Sequence, residues 1–425
     1  MARQMKYSGI EWIGDIPADW NIVRIGTQYT ERKNKVSDTE YPPLSVTMKG
    51  IVPQLATAAK TDAHDDRKLV CKGDFAINSR SDRRGSCGIS AYDGSVSLIN
   101  TILCPQDEMN PEYYDWLFHS SMFSDEFYKW GHGIVDDLWT TNWQDMKKIS
   151  IPEPTLEEQA KIAEHLTKMC AEIDSVIART RTTIEEYKKL KLTIVTETVT
   201  KGIRSNRQTK DSGYEFIGEI PSEWDVYRLR NIGTPQNGIS KGAEFFGKGY
   251  PFVSYGDVYK NYSLPETVAG LVESTEEERE RYSVKAGDIF FTRTSETIEE
   301  VGFSCVCEKD IPDATFAGFL IRVRPFTDDL YAGYSKYYFR SNHHRIYLVK
   351  EMNLVTRASL GQDLLKSMPV LVPPMDEQKE IAEYLDKKCA EIDTLIAKKT
   401  ALLEEMESYK KSVIYEYVTG KKEVQ

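Results

Sequence analysis

Two short stretches carry side chains suited to reading nucleic acid. Asn78-Ser79-Arg80, followed by Arg83 and Arg84, and Thr292-Arg293-Thr294-Ser295 both combine amides or hydroxyls with guanidinium groups. Guanidinium forks meet guanine edges or phosphates, amides meet adenine, and hydroxyls meet either, so the mixture fits base readout backed by phosphate contacts. Weaker candidates of the same chemistry are Lys49, Trp139, Thr140, Thr141 and Asn142, and further along Lys241, Tyr255, Arg357 and Gln362. Any one of them, taken singly, is as well explained by a solvated surface position. Catalysis is not indicated: the chain has no GxxxxGK[ST] loop, no GxGxxG, no HExxH and no Asn-Pro-Pro-aromatic signature. Its histidines show no metal-ligand spacing and its seven cysteines form no CxxC pair, which predicts reduced thiols and no metal.

Composition bounds the setting. A chain of 425 residues, 40% of them hydrophobic, has room for two or three globular units. No apolar run reaches 18 residues and the start, Met-Ala-Arg-Gln-Met-Lys, lacks an apolar signal core, so a soluble cytoplasmic protein without a membrane span is expected. The net charge of −11 runs against nucleic-acid binding, but the acid is unevenly spread. From Gly256 to Glu300 there are eleven acidic and five basic residues, with the excess concentrated from Glu273 to Glu280. A DNA footprint needs only one positive face, so this acidic segment is expected on the face turned away.

The elements that position these residues are duplicated. Leu156 to Ile203 aligns without gaps on Met375 to Lys422 at an offset of 219, with 20 of 48 pairs identical. The shared core reads Glu158-Gln159, Ile162-Ala-Glu164 and Cys170-Ala-Glu-Ile-Asp174 in one copy, and Glu377-Gln378, Ile381-Ala-Glu383 and Cys389-Ala-Glu-Ile-Asp393 in the other. A second pair opens each half: Ile13-Gly-Asp-Ile-Pro-Ala-Asp-Trp20 recurs as Ile217-Gly-Glu-Ile-Pro-Ser-Glu-Trp224. So long a period suits a whole domain rather than a solenoid repeat. After Pro154 the apolar residues follow 4-3 spacing through Ile162, Leu166, Met169, Ile173, Val176, Tyr187, Leu190 and Ile194. The second copy supplies Ile381, Leu385, Ile392, Leu395, Leu402, Met406, Tyr409 and Val413, a coiled-coil seam in the same frame. Thr155 with Glu157-Glu158, and Asp376 with Glu377, put acid at the positive helix starts. Each helix can run some 45 residues, roughly 65 Å, and needs a partner, the nearest being the other copy. Cys170, Cys389, Trp20 and Trp224 are expected to be packing residues.

Between the repeats the two halves agree only in outline. Lys72-Gly-Asp74 and Ala286-Gly-Asp288 each form a turn feeding a strand that ends in hydroxyls and arginine, and a one-residue gap superposes Arg80 on Arg293. Gln144-Asp145 matches Gln362-Asp363 late in each half. Mixed short strands and helices predict an α+β fold. The expected layout is a recognition domain over 1–154, a coiled-coil helix over 155–203, a second domain over 204–374 and a second helix over 375–425.

Val372-Pro-Pro-Met-Asp-Glu-Gln378 followed by Ile381-Ala-Glu-Tyr-Leu385 and Ala390-Glu-Ile-Asp393, the opening motif ending in Trp224, and the order of parts resemble the specificity subunit of type I restriction-modification systems. The resemblance covers essentially the whole chain. It implies two pseudo-symmetric target recognition domains separated by two long antiparallel coiled-coil helices, each domain reading half of a bipartite double-stranded DNA site. It further implies that the helices dock two methyltransferase subunits, with Glu158, Gln159, Ile162, Leu166, Glu377, Gln378, Ile381 and Leu385 expected at those contacts. The partners would carry S-adenosylmethionine for adenine-N6 methylation, and up to two restriction subunits would add ATP and Mg for cleavage, while this chain binds no cofactor and is not itself an enzyme. A coiled-coil scaffold or adaptor that never meets DNA is the rival reading.

Overall fold

In a computed structural model the chain divides into two compact units, Met1–Arg181 with Thr400–Gln425 and Thr182–Lys399. The structure describes residues 3–55, 64–106, 109–133, 139–295, 300–351 and 358–424. Helices and strands are mixed in both units, an α+β architecture. Among the described residues no helix is long and apolar enough to cross a membrane.

The first unit is built on strands β1 (Tyr29–Glu31), β2 (Phe75–Asn78), β3 (Cys87–Ile89) and β4 (Asn100–Pro105), hydrogen-bonded in the order β3-β2-β4-β1. In the second, β5 (Gly233–Asn237), β6 (Ile289–Thr292), β7 (Ser304–Val306) and β8 (Leu320–Pro325) take the corresponding order β7-β6-β8-β5. All the pairings are antiparallel. β2 and β6 lie between two neighbours, and all four residues of each are buried. The turns before them need glycine, because Gly73 and Gly287 have φ of +90° and +85°, where a Cβ is strained. The aspartates that follow are structural. Asp74 accepts from Arg32 Nε at 2.6 Å and Asp288 from Arg324 Nε at 2.6 Å, both carboxylates being buried. The same ion pair is delivered from different places, Arg32 just after β1 and Arg324 within β8.

Helices α1 (Leu156–Lys201) and α2 (Met375–Val418) have 46 and 44 residues. In the first unit the start of α1 runs beside the end of α2, through Lys410–Asp174 at 2.7 Å and Arg181–Glu407 at 2.6 Å. In the second unit Lys191–Asp393, at 2.6 Å, joins the end of α1 to the start of α2. One number rises as the other falls, so the pairing is antiparallel, and Lys191–Asp393 repeats Lys410–Asp174 with each residue replaced by its counterpart 219 away. Tyr113 Oη donates to Val418 O at 2.7 Å and Tyr334 Oη to Val199 O at 3.2 Å. Each unit thus grips the beginning of one long helix and the end of the other.

The predicted seam holds only in part. Ile173, Ile177, Thr180, Ile184 and Ile392 are buried, whereas Val176, Leu190, Leu395 and Tyr409 are 40%, 47%, 42% and 48% exposed. A straight α-helix drifts about 20° per heptad from a 3.5-residue repeat. The buried stripe therefore passes from Ile173 through Ile177 and leaves Val176 outside.

The residues expected to dock partner subunits are instead the glue of each unit. Gln159, Ile162, Leu166, Glu377, Gln378, Ile381 and Leu385 are buried, and Glu158 is largely covered. Trp20 Nε1 donates to Glu158 at 3.1 Å while Arg3 pairs with the same carboxylate at 2.6 Å and lies over the Trp20 ring. The second unit repeats this with Trp224 Nε1 at 2.9 Å and Arg207 at 2.6 Å from Glu377. Gln159 Oε1 accepts from Asn110 N and its Nε2 donates to Pro154 O. Gln378 does the same with Tyr331 N and Pro373 O. The two repeated motifs are recurrent because they bind each other. Burying aliphatic side chains such as Ile381 and Leu385 is worth about 1.5–3 kcal/mol each, and apart from the partly exposed Glu158 these groups are enclosed within their own unit. Cys170, Cys389, Trp20 and Trp224 are buried in these same cores.

Candidate nucleic-acid interface

In the first unit the backbone brings most of the predicted contacts to one edge. Where β2 ends, Thr141 N donates to Ser79 O and Ser81 N to Trp139 O, both at 3.0 Å, and Arg80 bridges Thr140. Asn142 then caps the short helix Trp143–Met146, its side chain accepting from Asp145 N. Asn78, Ser79, Arg80, Thr140, Thr141 and Asn142 therefore converge, and Arg83 and Arg84 follow on the adjoining 3-10 turn. Their roles differ. The Thr141 hydroxyl is fully enclosed and donates to Phe127 O at 2.8 Å, and Ser79 pairs with Thr101 Oγ1 at 3.1 Å inside the sheet. Asn78 is buried and its Oδ1 accepts from Arg80 N at 3.0 Å. These three set the backbone path rather than offer a free side chain. Arg80 is half-buried and its guanidinium makes no hydrogen bond or ion pair among the described residues.

Arg83 and Arg84 are exposed, with Asp82 at 3.6 Å from Arg83 and Asp125 at 3.3 Å from Arg84. Arg84 also lies 5.1 Å from the Tyr128 ring centroid. Beside it an open cleft of about 620 Å³ is lined by Ser81, Asp82, Arg84, Asp125, Tyr128, Lys129 and Trp139. Trp139 donates Nε1 to Tyr128 O at 2.7 Å, a packing arrangement. Lys49 stands apart, exposed at the tip of the hairpin formed by Leu44–Thr47 and Gly50–Pro53.

The second unit repeats the edge with other side chains. Arg293 N donates to Phe319 O at 2.9 Å, Leu360 N to Arg293 O at 2.7 Å, and Thr294-Ser295 pairs with Ala358-Ser359. Thr292 is buried and its hydroxyl is engaged with Glu300 O and Phe303 N, so it belongs to the core. Arg293 and Thr294 are half-buried, and the Arg293 guanidinium has no partner among the described residues. Gln362 Nε2 donates to Asn237 Oδ1 at 3.0 Å, and Tyr255 opens a short helix and stacks on Tyr259. Arg357 lies outside the described residues.

The ladders also correct the expected superposition. Asn78 stands opposite Asn100 as Thr292 stands opposite Leu320, and Thr141 N meets Ser79 O as Leu360 N meets Arg293 O. Backbone pairing thus equates Ser79 with Arg293 and Arg80 with Thr294, with no gap from the Gly-Asp turn onward. The likeness of two arginines suggested a gap that the hydrogen bonds do not contain.

Lys241 and the acidic segment cannot both stand where the sequence put them. Lys241 Nζ is 2.7 Å from Glu278, on the short helix Glu276–Arg281, and that bond holds the Glu278 carboxyl below its usual range. Lys248 pairs with Glu273 at 3.1 Å, so the segment is partly neutralised locally. A lysine bound to this helix shares its face. Arg3 and Arg207 are not among the residues expected from the sequence, although the sequence carries their signal. Arg3-Gln4 and Arg207-Gln208 lie at the same offset of 204 as Trp20 and Trp224, upstream of the repeated opening motif.

Known proteins share this architecture. Residues 221–405 match the family model described as type I restriction modification DNA specificity domain. The type I restriction enzyme MjaVIII specificity subunit of Methanocaldococcus jannaschii is 25% identical over 421 residues, which span 96% of this chain and 93% of that one. The EcoKI specificity subunit of Escherichia coli K12 is 28% identical over 253 residues, 58% of this chain and 52% of that one. Among solved structures, one reported for assembly and conformational transition of the type I R-M system aligns with a TM-score of 0.73 at 15% identity, covering 95% of this chain and 98% of that one. The HsdS subunit of Thermoanaerobacter tengcongensis aligns at 0.52 and 18%, covering 96% and 98%. At such identities the structures speak to the fold, and the sequence relatives carry the kinship. The doubled sheet and the paired long helices are found where the sequence matches run: residues 221–405 match a type I restriction modification DNA specificity domain, and over nearly its whole length the chain is similar to type I restriction-modification specificity subunits.

Proposed function

We propose that this chain supplies the DNA address of a type I restriction-modification complex, each unit reading one half of a bipartite site while the paired helices set the distance between halves. The observation that carries the reading is the same sheet built twice, with the same backbone edge at the end of β2 and β6 but different side chains on it. Identical scaffolds with unlike edges suit two readers of unlike half-sites, and antiparallel helix pairing has the two-fold character of duplex DNA. The chain itself is the non-catalytic subunit. Methyl transfer to adenine N6, with S-adenosylmethionine, belongs to two methyltransferase partners, and ATP- and Mg-dependent cleavage belongs to restriction subunits.

With the repeated Glu-Gln motif buried, the methyltransferases need another surface. The exposed apolar pairs Val176 with Leu395 and Leu190 with Tyr409 offer one, since each member lies 219 residues from its counterpart and is thus presented once per copy. Co-expression with the methyltransferase followed by mapping of methylated adenines tests the reading, which expects one bipartite motif with a fixed gap. The adaptor alternative expects no methylation pattern and a log-affinity against log-salt slope near zero for duplex DNA.

A further inference from the structure

The ungapped register of β2 and β6 assigns the arginines to non-equivalent positions. In extended backbone, successive side chains leave on opposite sides. Arg80 has φ −86° and ψ 143°, and its predecessor Ser79 points inward to Thr101 Oγ1 at 3.1 Å. Position 80 is therefore the outward one. Its counterpart in the second unit is Thr294, whereas Arg293 occupies the inward position held by Ser79. Inward placement does not bury Arg293, because a long side chain carries its head back to water over its own stem, and it remains half-buried without a partner among the described residues.

Both outward positions are held rigidly. Arg80 is tied to Thr140 through a backbone bridge flanked by the Ser81–Trp139 and Thr141–Ser79 hydrogen bonds. Thr294 is paired with Ser359 and flanked by the Leu360–Arg293 bond. A base-reading side chain needs a fixed origin of this kind, since direct readout depends on placing a donor or acceptor on one base edge. A phosphate contact tolerates more freedom and carries no sequence information.

Accepting that the chain reads DNA, we propose that residue 80 and its ladder counterpart 294 are the base-reading position of the two units, filled by a guanidinium in the first and a threonine in the second. Arg293 is then a phosphate contact. The first half-site contains a G·C pair read by Arg80 through guanine O6 and N7. The corresponding pair of the second half-site is read by the smaller hydroxyl and methyl of Thr294, and the two halves of the target differ there. A one-residue displacement of an arginine is enough to give one scaffold two addresses.

The test uses the full chain co-expressed with its methyltransferase and a duplex library randomised over the half-sites, scored by methylation at each sequence. Arg80→Thr relaxes one base pair of the first half-site, by roughly five- to 150-fold, the range of a good bidentate contact, and leaves the second half-site as it was. Arg80→Lys keeps the charge and still relaxes that pair. Thr294→Arg imposes a new G·C preference at one pair of the second half-site. Arg293→Ala weakens all sequences together and lowers the salt slope by about one. The assignment is overturned if Arg80→Thr lowers all sequences by the same factor or changes nothing, if Arg80→Lys keeps the full parental preference, if Thr294→Arg retains it, or if Arg293→Ala relaxes a single base pair. A parental complex with no sequence preference at all overturns the DNA reading beneath it, which none of the variant outcomes does.

Discussion

Removing the Glu377 carboxylate tests the claim that the repeated motifs hold each unit together. Glu377 is fully buried and receives Arg207 at 2.6 and 3.0 Å and Trp224 Nε1 at 2.9 Å. Glu377→Ala strands a guanidinium whose side chain is only 14% exposed, together with an enclosed indole N–H. Breaking a buried pair on one side costs about 3–5 kcal/mol. Glu223, at 3.0 Å from Arg207, takes up part of the orphaned charge and places the expectation near the lower end, about 3 kcal/mol. The counterpart Glu158→Ala costs less, about 1.5–3 kcal/mol for bonds to a charged group, because Glu158 and Arg3 are 25% and 21% exposed and water replaces the lost partner. Hydrogen exchange resolved by peptide reads both: Glu377→Ala lowers protection over 375–399 and leaves 156–181 unchanged, and Glu158→Ala does the reverse by a smaller margin. The double change Arg207→Met with Glu377→Leu removes both charges and recovers about 2 kcal/mol over Glu377→Ala. Equal losses in the two units, a loss below about 1 kcal/mol for Glu377→Ala, or a double variant no better than the single refutes the reasoning.

His344 is wholly buried against Tyr338 and Phe339, and desolvation pushes its pKa down to about 3. The unfolded chain binds that proton more readily, so stability present above the ordinary histidine value of about 6.5 is lost as pH falls from there toward 3; His344→Phe flattens this acid dependence in unfolding titrations. Lys241→Ala leaves the salt slope of DNA binding unchanged, because its partner is Glu278; a slope reduced by about one would put Lys241 on phosphate. Val176→Glu with Leu395→Glu abolishes co-purification with the methyltransferase while the circular dichroism spectrum stays parental, and retained assembly removes those positions from the docking surface. Deleting four residues around Thr180 with four around Lys399 shortens the helix pair by about 6 Å, close to two base pairs at about 3.4 Å each. The tolerated gap between half-sites then shortens by about two, and an unchanged gap disproves the ruler.

The sequence told most where local chemistry and periodicity coincide. Thr155 with Glu157-Glu158 places the start of α1, whereas the second helix, expected to run to 425, stops at Val418, two residues before Gly420 with φ of +70°. Sidedness was harder, because 4-3 spacing is satisfied by either of two adjacent stripes, and only packing chooses Ile177 over Val176. Repetition misled in another way. Residues that match between copies are equally consistent with contact to a partner and contact with each other, and Trp20–Glu158 shows the second. Resemblance of side-chain type likewise drew Arg80 onto Arg293, when register is a property of the backbone ladder.

The first unit draws on both ends of the chain. Tyr113 waits for Val418, and the carbonyls of Ile13 and Asp15 wait for Lys421. The second unit, by contrast, is a single uninterrupted stretch. During synthesis the unit encoded later is therefore completed earlier, because its last residue leaves the ribosome before the helix end that closes the first unit has been made. The opening 181 residues pass that interval with the apolar faces of Tyr113, Leu166 and Cys170 short of their final cover. A lesion in the last twenty residues of the chain thus strikes the first unit, not the second.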